Sequence, residues 1–501
     1  MRWVVAARPA PDLVVHSVRP FTIGALLALV ACVSMLAVAP ARSPYWDSPG
    51  YVLQAMTGGV GGLGFGRPMF AFGSHAIAAA WTTVGGSPWH LETTLRLVWG
   101  AATAGAAPLT WHLARRLGLG PWAAFLAGLA VACSPALAHA GGAVLTDGPA
   151  VTAFLVACVV GVRAVGLAQS TGTVPLLAAV GTGAALGVSI GFREQSIGNT
   201  LVITLLAMAA PRGLRLRLAV WSIATCALVT AALVTAAVIT EPGYPQTIRT
   251  WLLGMTHDSR LKTWTMNDAA MFGGWILSLG PVAAVAALVG FTRRRDGIWS
   301  PGTTLFAVAV PSLVLLVAMG LFQGTAYSPR YLVAALPGAI AIPGAMALGG
   351  WSRGSRGRMA LTLAALIAPL VIAVPVIRAR GASMDTTLEA WPSDLAALPP
   401  RTVVVSGQPC AWVPLIRELV RRDSVPAGID PAWRPLCPGW GWPADLASTL
   451  DEAIRQGDNV ALDLRAGSWV GAEQSAARDQ IARYRRSRVS DEAAGRLRVW
   501  E

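Results

Sequence analysis

The chain has 501 residues, 54% of them hydrophobic and only 13% charged, with a net charge of +14. A soluble chain of this length would carry about twice that share of charge, and several apolar runs approach the ~20 residues that cross a bilayer as a helix. These values exclude an ordinary soluble enzyme. The positive charge does not indicate nucleic acid, because most short basic clusters lie between apolar runs, where the positive-inside rule puts them.

In chain order, candidate spans cover 21–40, 91–112, 120–140, 148–168, 175–191, 197–210, 218–240, 271–291, 302–322, 331–350 and 359–377. Eleven spans with the N-terminus inside place five clusters in the cytoplasm: Arg2/Arg8/Arg19, Arg115/Arg116, Arg212/Arg215/Arg217, Arg293/Arg294/Arg295 and Arg353/Arg356/Arg358. The first run is long, lacks a clear small-residue cleavage site and is followed by many more spans, so it reads as a span and not a signal peptide. The segment 69–86, "MFAFGSHAIAAAWTTVGG", is apolar enough to suggest another span. A crossing there would invert every later cluster. It therefore reads as a helix in or against the outer interface, inside one long external loop, 41–90. The hairpin 175–191/197–210 is the shortest pair.

After residue 378 the composition changes. "RTVVVSG" (401–407) and "NVALDLRAG" (459–467) read as strands, and 411–423 and 473–489 as amphipathic helices, which predicts a small α/β domain. Span parity puts it outside the cell, where a Cys410–Cys437 disulfide is chemically allowed; two buried thiols are the alternative. The organisation expected is a cytoplasmic N-terminus (1–20), a transmembrane domain (21–377) and an extracytoplasmic domain (378–501).

This threading brings Asp47, Arg67, Asp147, Arg193, Glu194, His257, Arg260 and Arg330 to one side, near the membrane. Ionisable groups at that depth are costly unless paired or functional. No DxD occurs in 41–90 and no adjacent carboxylate pair on any external segment, so no metal site is expected, since hard divalent ions want several carboxylate oxygens. No cofactor motif is present either.

The order of motifs resembles a known family. "YWDSPGY" follows the first span; "GRPMF" (66–70), "LARRLG" (113–118), "LTDGPAVTAFLVA" (145–157), "LGVSIGFREQSIG" (186–198) and "YSPRYLVAALPGAIAI" (327–342) come after it. Over about residues 20–345 the chain resembles the C-type (GT-C) membrane glycosyltransferases, in the branch of the protein O-mannosyltransferase-like and lipid A aminoarabinose transferases. The resemblance implies an inverting, metal-independent glycosyltransferase of the plasma membrane. It would move a sugar from a polyprenyl-phosphate donor to an extracytoplasmic glycan, lipid or protein, with membrane lipids around it.

The resemblance also implies roles. Asp47 stands at the family's acidic position after the first span and would be the base, although it could also cap a helix starting at Ser48. Asp147 matches the second acidic position and would bind sugar or acceptor or orient other groups; it too could cap a helix. Arg67 stands where relatives usually have Lys before Pro and would bind the phosphate; the acidic residue that often precedes it is Gly66 here. Arg260 would be a second phosphate ligand, or a solvated loop charge, and Arg330 a third, or with Tyr331 an interfacial anchor; His257 and Tyr331 would support them, or His257 is simply exposed, and the spacing around His257 and Arg260 departs from the relatives. Arg193 and Glu194, adjacent at the turn of a hairpin, read equally as an ion pair and as supporting site residues. The alternatives are a lipid transporter or flippase, which would need charges at mid-bilayer, and an envelope-assembly scaffold.

Overall fold

The computed structural model describes residues 18–38, 47–60, 67–246, 248–249, 333, 336–352, 355–389, 398–399, 402–405, 415, 418, 434–436, 455–456, 459–463, 489–492 and 497–500. Helices dominate up to residue 389, and a β-sheet follows.

The described helices are α1 (Val18–Val38), α2 (Asp47–Thr57), α3 (Pro68–Thr83), α4 (Leu91–Ala104), α5 (Ala106–Arg116), α6 (Pro121–Ala132), α7 (Pro135–Gly141), α8 (Asp147–Thr171), α9 (Leu176–Phe192), α10 (Leu201–Ala209), α11 (Arg215–Thr240), α12 (Ile342–Ser352) and α13 (Arg356–Glu389). Among the described residues, Pro20–Val38, Asp147–Thr171, Arg212–Thr240 and Arg356–Pro375 are long and apolar enough to cross a membrane. The outward faces of α1, α11 and α13 carry exposed Leu29, Leu36, Leu228, Ile239, Val371 and Ile372. A helix apolar all round has lipid or protein on every side. The pair α6 and α7 is one apolar stretch bent by 53°. The bend falls at Pro135, which supplies no backbone N–H to the ladder and crowds the turn before it. The expected spans at 271–291 and 302–322 lie outside the described residues.

Contacts fix the direction of the helices. At one end Ser48 Oγ donates to the Val144 carbonyl (3.1 Å), Val60 N–H to Glu241 (2.9 Å) and Arg378 to the Ala37 carbonyl (2.6 Å). At the other end Trp122 donates to Ser352 Oγ (2.7 Å), Gln169 to the Ala209 carbonyl (3.1 Å) and Arg215 to the Ala210 carbonyl (3.1 Å). Arg115, Arg116, Arg215, Arg217, Arg356 and Arg358 therefore gather at the second end, and Asp47, Arg67, Asp147, Arg193 and Glu194 at the first. The segment 69–86 forms α3, which lies among α2, α4, α9 and α11. Its inner face is Phe70, Ala71, Ser74 and Ala78. Ser74 is fully buried. A cysteine at the exposed Val84 and one at the exposed Arg116 should react with an impermeant thiol reagent from opposite sides of intact cells, Val84 from outside. Reaction of both from the same side would break the threading.

A stripe of glycines holds α9 against α11. Gly183, Gly187 and Gly191 recur every four residues on α9 and face α11, so the two helices approach closely. A Cβ at Gly183 would sit 2.2 Å from the Ser222 carbonyl oxygen, and one at Gly187 2.8 Å from Val229 Cβ. Gly183→Ala must move backbone, and overpacking of this kind costs about 1–3 kcal/mol. A lowered melting midpoint in detergent is the expected result. An unchanged midpoint would mean the helices separate without cost.

Five strands make one mixed sheet: β1 (Thr402–Val405), β2 (Arg434–Leu436), β3 (Asn459–Asp463), β4 (Val489–Glu492) and β5 (Leu497–Trp500), in the order β2-β1-β3-β5-β4. β1 runs parallel to both β2 and β3, and β5 is antiparallel to β3 and β4. Val403, Val404, Val460, Ala461 and Leu462 are buried, the unbroken apolar run of strands covered on both faces. β2 carries Pro435, which an edge strand tolerates. The helices expected at 411–423 and 473–489 and the Cys410–Cys437 pair lie outside the described residues, save Leu415 and Glu418, which are helical. One apolar cluster joins Tyr51, Phe70, Leu95 and Leu145 with Val404 and Leu415, so the sheet packs at the first end of the bundle.

Candidate active site at the acidic end of the bundle

Three helices start at this end. α2 starts at Asp47, whose side chain lies outside the described residues; α3 starts just after Arg67, with Pro68 in its first turn; and α8 starts at Asp147. Helix starts leave backbone N–H groups unpaired and carry partial positive charge, which favours anions. A ladder of rings ties the elements together. Tyr51 meets the edge of Phe70 (5.0 Å), Phe70 stacks on Trp99 (5.0 Å), and Trp99 meets the edge of Phe192 (5.4 Å). Trp99 Nε1 donates to Ser74 Oγ (3.0 Å), so the indole has a partner for its one polar atom. Phe192 ends α9 and delivers the next residue, Arg193, to the site.

Four charged side chains meet beside this ladder. Arg67 Nε contacts Glu194 Oε2 at 3.3 Å, and Arg67 Nη1 donates to the Tyr51 hydroxyl. Arg193 Nη1 contacts Asp147 Oδ1. Arg67, Arg193 and Asp147 are buried, whereas the Glu194 side chain keeps 27% exposure. Of the two readings of Arg193 and Glu194, the ion pairing runs not between the two neighbours but across elements, in two pairs. The cause is the extended backbone at Arg193 (φ −155°, ψ 116°), which turns successive side chains to opposite sides. Arg193 goes to α8 and Glu194 to the start of α3.

Asp147 does not act as a cap. It is the first residue of α8, no side chain caps that helix, and its carboxylate turns to Arg193 instead. Asp147 Oδ2, Thr146 Oγ1 and Glu194 Oε1 are buried without a hydrogen-bond partner among the described residues. Burial alone would raise the Glu194 carboxyl, but the Arg67 and Arg193 guanidiniums outweigh it and hold the group below the usual carboxylate range. Glu194 is therefore ionised near neutral pH.

Glu241 and Tyr244 join the site without a motif to announce them, and Tyr51 joins it as the last residue of "YWDSPGY". Tyr51 follows Asp47 by four residues on one helix. Burial pushes the Tyr244 phenol up to about 12, with the Glu194 and Glu241 charges adding to it, so it stays a proton donor. Arg260, His257, Arg330 and Tyr331 lie outside the described residues. No group of three His, Cys, Asp or Glu side chains suited to a metal occurs among the described residues.

A bundle with a broken apolar helix pair, a helix laid against one end beside a charged cluster, and a sheet packed at that end is a fold shared with solved proteins. ArnT from Cupriavidus metallidurans bound to undecaprenyl phosphate superposes with a TM-score of 0.61 over 97% of this chain and 98% of that one, at 14% identity. The apo form of the same protein gives 0.59, also at 14% identity and with the same coverage. The archaeal oligosaccharyltransferase AglB from Archaeoglobus fulgidus, in complex with an inhibitory peptide and a dolichol-phosphate, gives 0.55 over 89% of this chain and 69% of that one, at 13% identity. No family model matches the sequence, and no curated protein is significantly similar to it.

Proposed function

We propose that this chain is an inverting, metal-independent glycosyltransferase of the plasma membrane. It would take a sugar from a polyprenyl-phosphate donor and place it on an extracytoplasmic glycan, lipid or protein. The observation that carries the reading is Arg67: a buried guanidinium, fixed by Tyr51 at the start of α3, beside two carboxylate-bearing helix starts. The fold supports it, since one solved counterpart binds undecaprenyl phosphate and another a dolichol-phosphate. In this reading residues 1–20 are cytoplasmic, 21–377 form the catalytic membrane domain and 378–501 an outer α/β domain.

The lipid tail stays in the bilayer, so the phosphate is confined to the interface. Arg67, with Arg260 and Arg330, holds the phosphate and stabilises it as the leaving group; His257 and Tyr331 support them. Guanidinium binds phosphate through two parallel donors and stays charged. Asp47 takes the proton of the acceptor hydroxyl. The freed oxygen attacks the anomeric carbon from the face opposite the phosphate, the carbon–oxygen bond to phosphate breaks, and the configuration inverts. Asp147, fixed by Arg193, orients sugar or acceptor through its second oxygen.

Arg67→Ala should weaken donor binding, because each charge-assisted hydrogen bond is worth roughly 1.5–3 kcal/mol net. The activity itself is tested with purified protein, labelled polyprenyl-phosphate sugars and an envelope extract, with EDTA present. Label should pass from lipid to acceptor with the opposite anomeric configuration. Transfer that stops with EDTA and returns with magnesium or manganese would remove the metal-independent part of the reading. No transfer from any donor would remove the reading itself.

A further inference from the structure

We propose that Glu194 is an internal stand-in for the donor phosphate, holding the Arg67 guanidinium until the phosphate exchanges with it. This rests on the reading of Arg67 as a phosphate ligand.

The two partners are unequally anchored. Arg67 is enclosed: its side chain is 6% exposed, Tyr51 accepts from Nη1, and the guanidinium carbon lies 5.7 Å from the Tyr51 ring centre. Tyr51 is itself buried against Phe70. Glu194 meets Arg67 through one oxygen at 3.3 Å and takes a hydrogen bond from its own backbone N–H; its other oxygen is buried without a hydrogen-bond partner among the described residues, and the side chain as a whole is 27% exposed. It opens a 3-10 helix, Glu194–Thr200. Seven residues is long for that form, whose hydrogen bonds are poorer than an α-helix's. When an incoming anion competes for Arg67, Glu194 is the group that moves.

The exchange also makes electrostatic sense. A buried guanidinium without a counter-charge is strongly unfavourable. Glu194 supplies that charge when no donor is bound, and the phosphate supplies it afterwards, so Arg67 is paired in both states. Glu194 also interacts electrostatically with the Arg193 guanidinium and the Tyr244 phenol. One oxyanion replaces another and no covalent bond changes.

The test is binding of undecaprenyl phosphate, with undecaprenol as the uncharged control, to the full chain in detergent. Glu194→Gln and Glu194→Ala should bind the phosphate about 10- to 100-fold more tightly than the parent, the factor by which a site is weakened when only a tenth to a hundredth of it is competent. Affinity for the alcohol should not change. Equal or weaker phosphate binding in both variants overturns the exchange; if Arg67→Gln still loses the phosphate, the Arg67 reading stands alone. A parent that binds phosphate and alcohol equally, unaffected by Arg67→Gln, overturns both. Should the variants fail to fold, a fluorophore on Ile197→Cys, exposed on the same 3-10 helix, gives a second readout. Its signal should change with undecaprenyl phosphate and not with undecaprenol, and no change with either overturns the exchange.

Discussion

Asp47→Asn should give a folded protein that still binds donor but transfers sugar about 10²–10⁴ times more slowly, the usual loss when a general base is removed. The helix start at Asp47 is kept in place by its neighbour: Ser48 is buried and its hydroxyl donates to the Val144 carbonyl, just ahead of α8. Asp47 and Asp147 thus come from two helix starts at the same end of the bundle. Asn serves a helix N-terminus about as well as Asp, so a purely structural Asp47 predicts near-normal turnover. A turnover assay on the purified variant separates the two. Activity within a few-fold of the parent would pass the role of base to Asp147.

Asp147→Asn should act on both stability and turnover. It removes the carboxylate that the buried Arg193 contacts, and breaking a buried pair from one side costs about 3–5 kcal/mol. The double variant Asp147→Asn/Arg193→Gln removes both charges and should recover much of the lost melting midpoint. If Asp147 orients substrate, turnover stays low in the double variant although stability returns. Recovery of both would make the pair structural only.

The helical part of the fold could be read from the sequence because apolar length and Arg clusters are local signals. α1, α8, α11 and α13 fall where apolar runs predict spans, and the Arg-rich turns gather at one end. The segment 69–86, which charge parity puts in the external loop, forms the helix α3. The gathering of Arg67, Asp147, Arg193 and Glu194 followed from the same parity. Which charge meets which did not, since the extended backbone at Arg193 is a tertiary outcome with no motif. The glycine stripe on α9 explains how that short helix packs, but its meaning appears only with α11 beside it. β2, β4 and β5 are three or four residues long and carry charges or proline, too little pattern for a periodicity of two to show.

The most direct measurement is a structure of the full chain in nanodiscs with polyprenyl phosphate bound. The account predicts the phosphate within hydrogen-bonding distance of the Arg67 guanidinium, at the acidic end of the bundle, with the lipid tail running back between helices. A phosphate bound at the opposite end, among Arg115, Arg215 and Arg358, would contradict it.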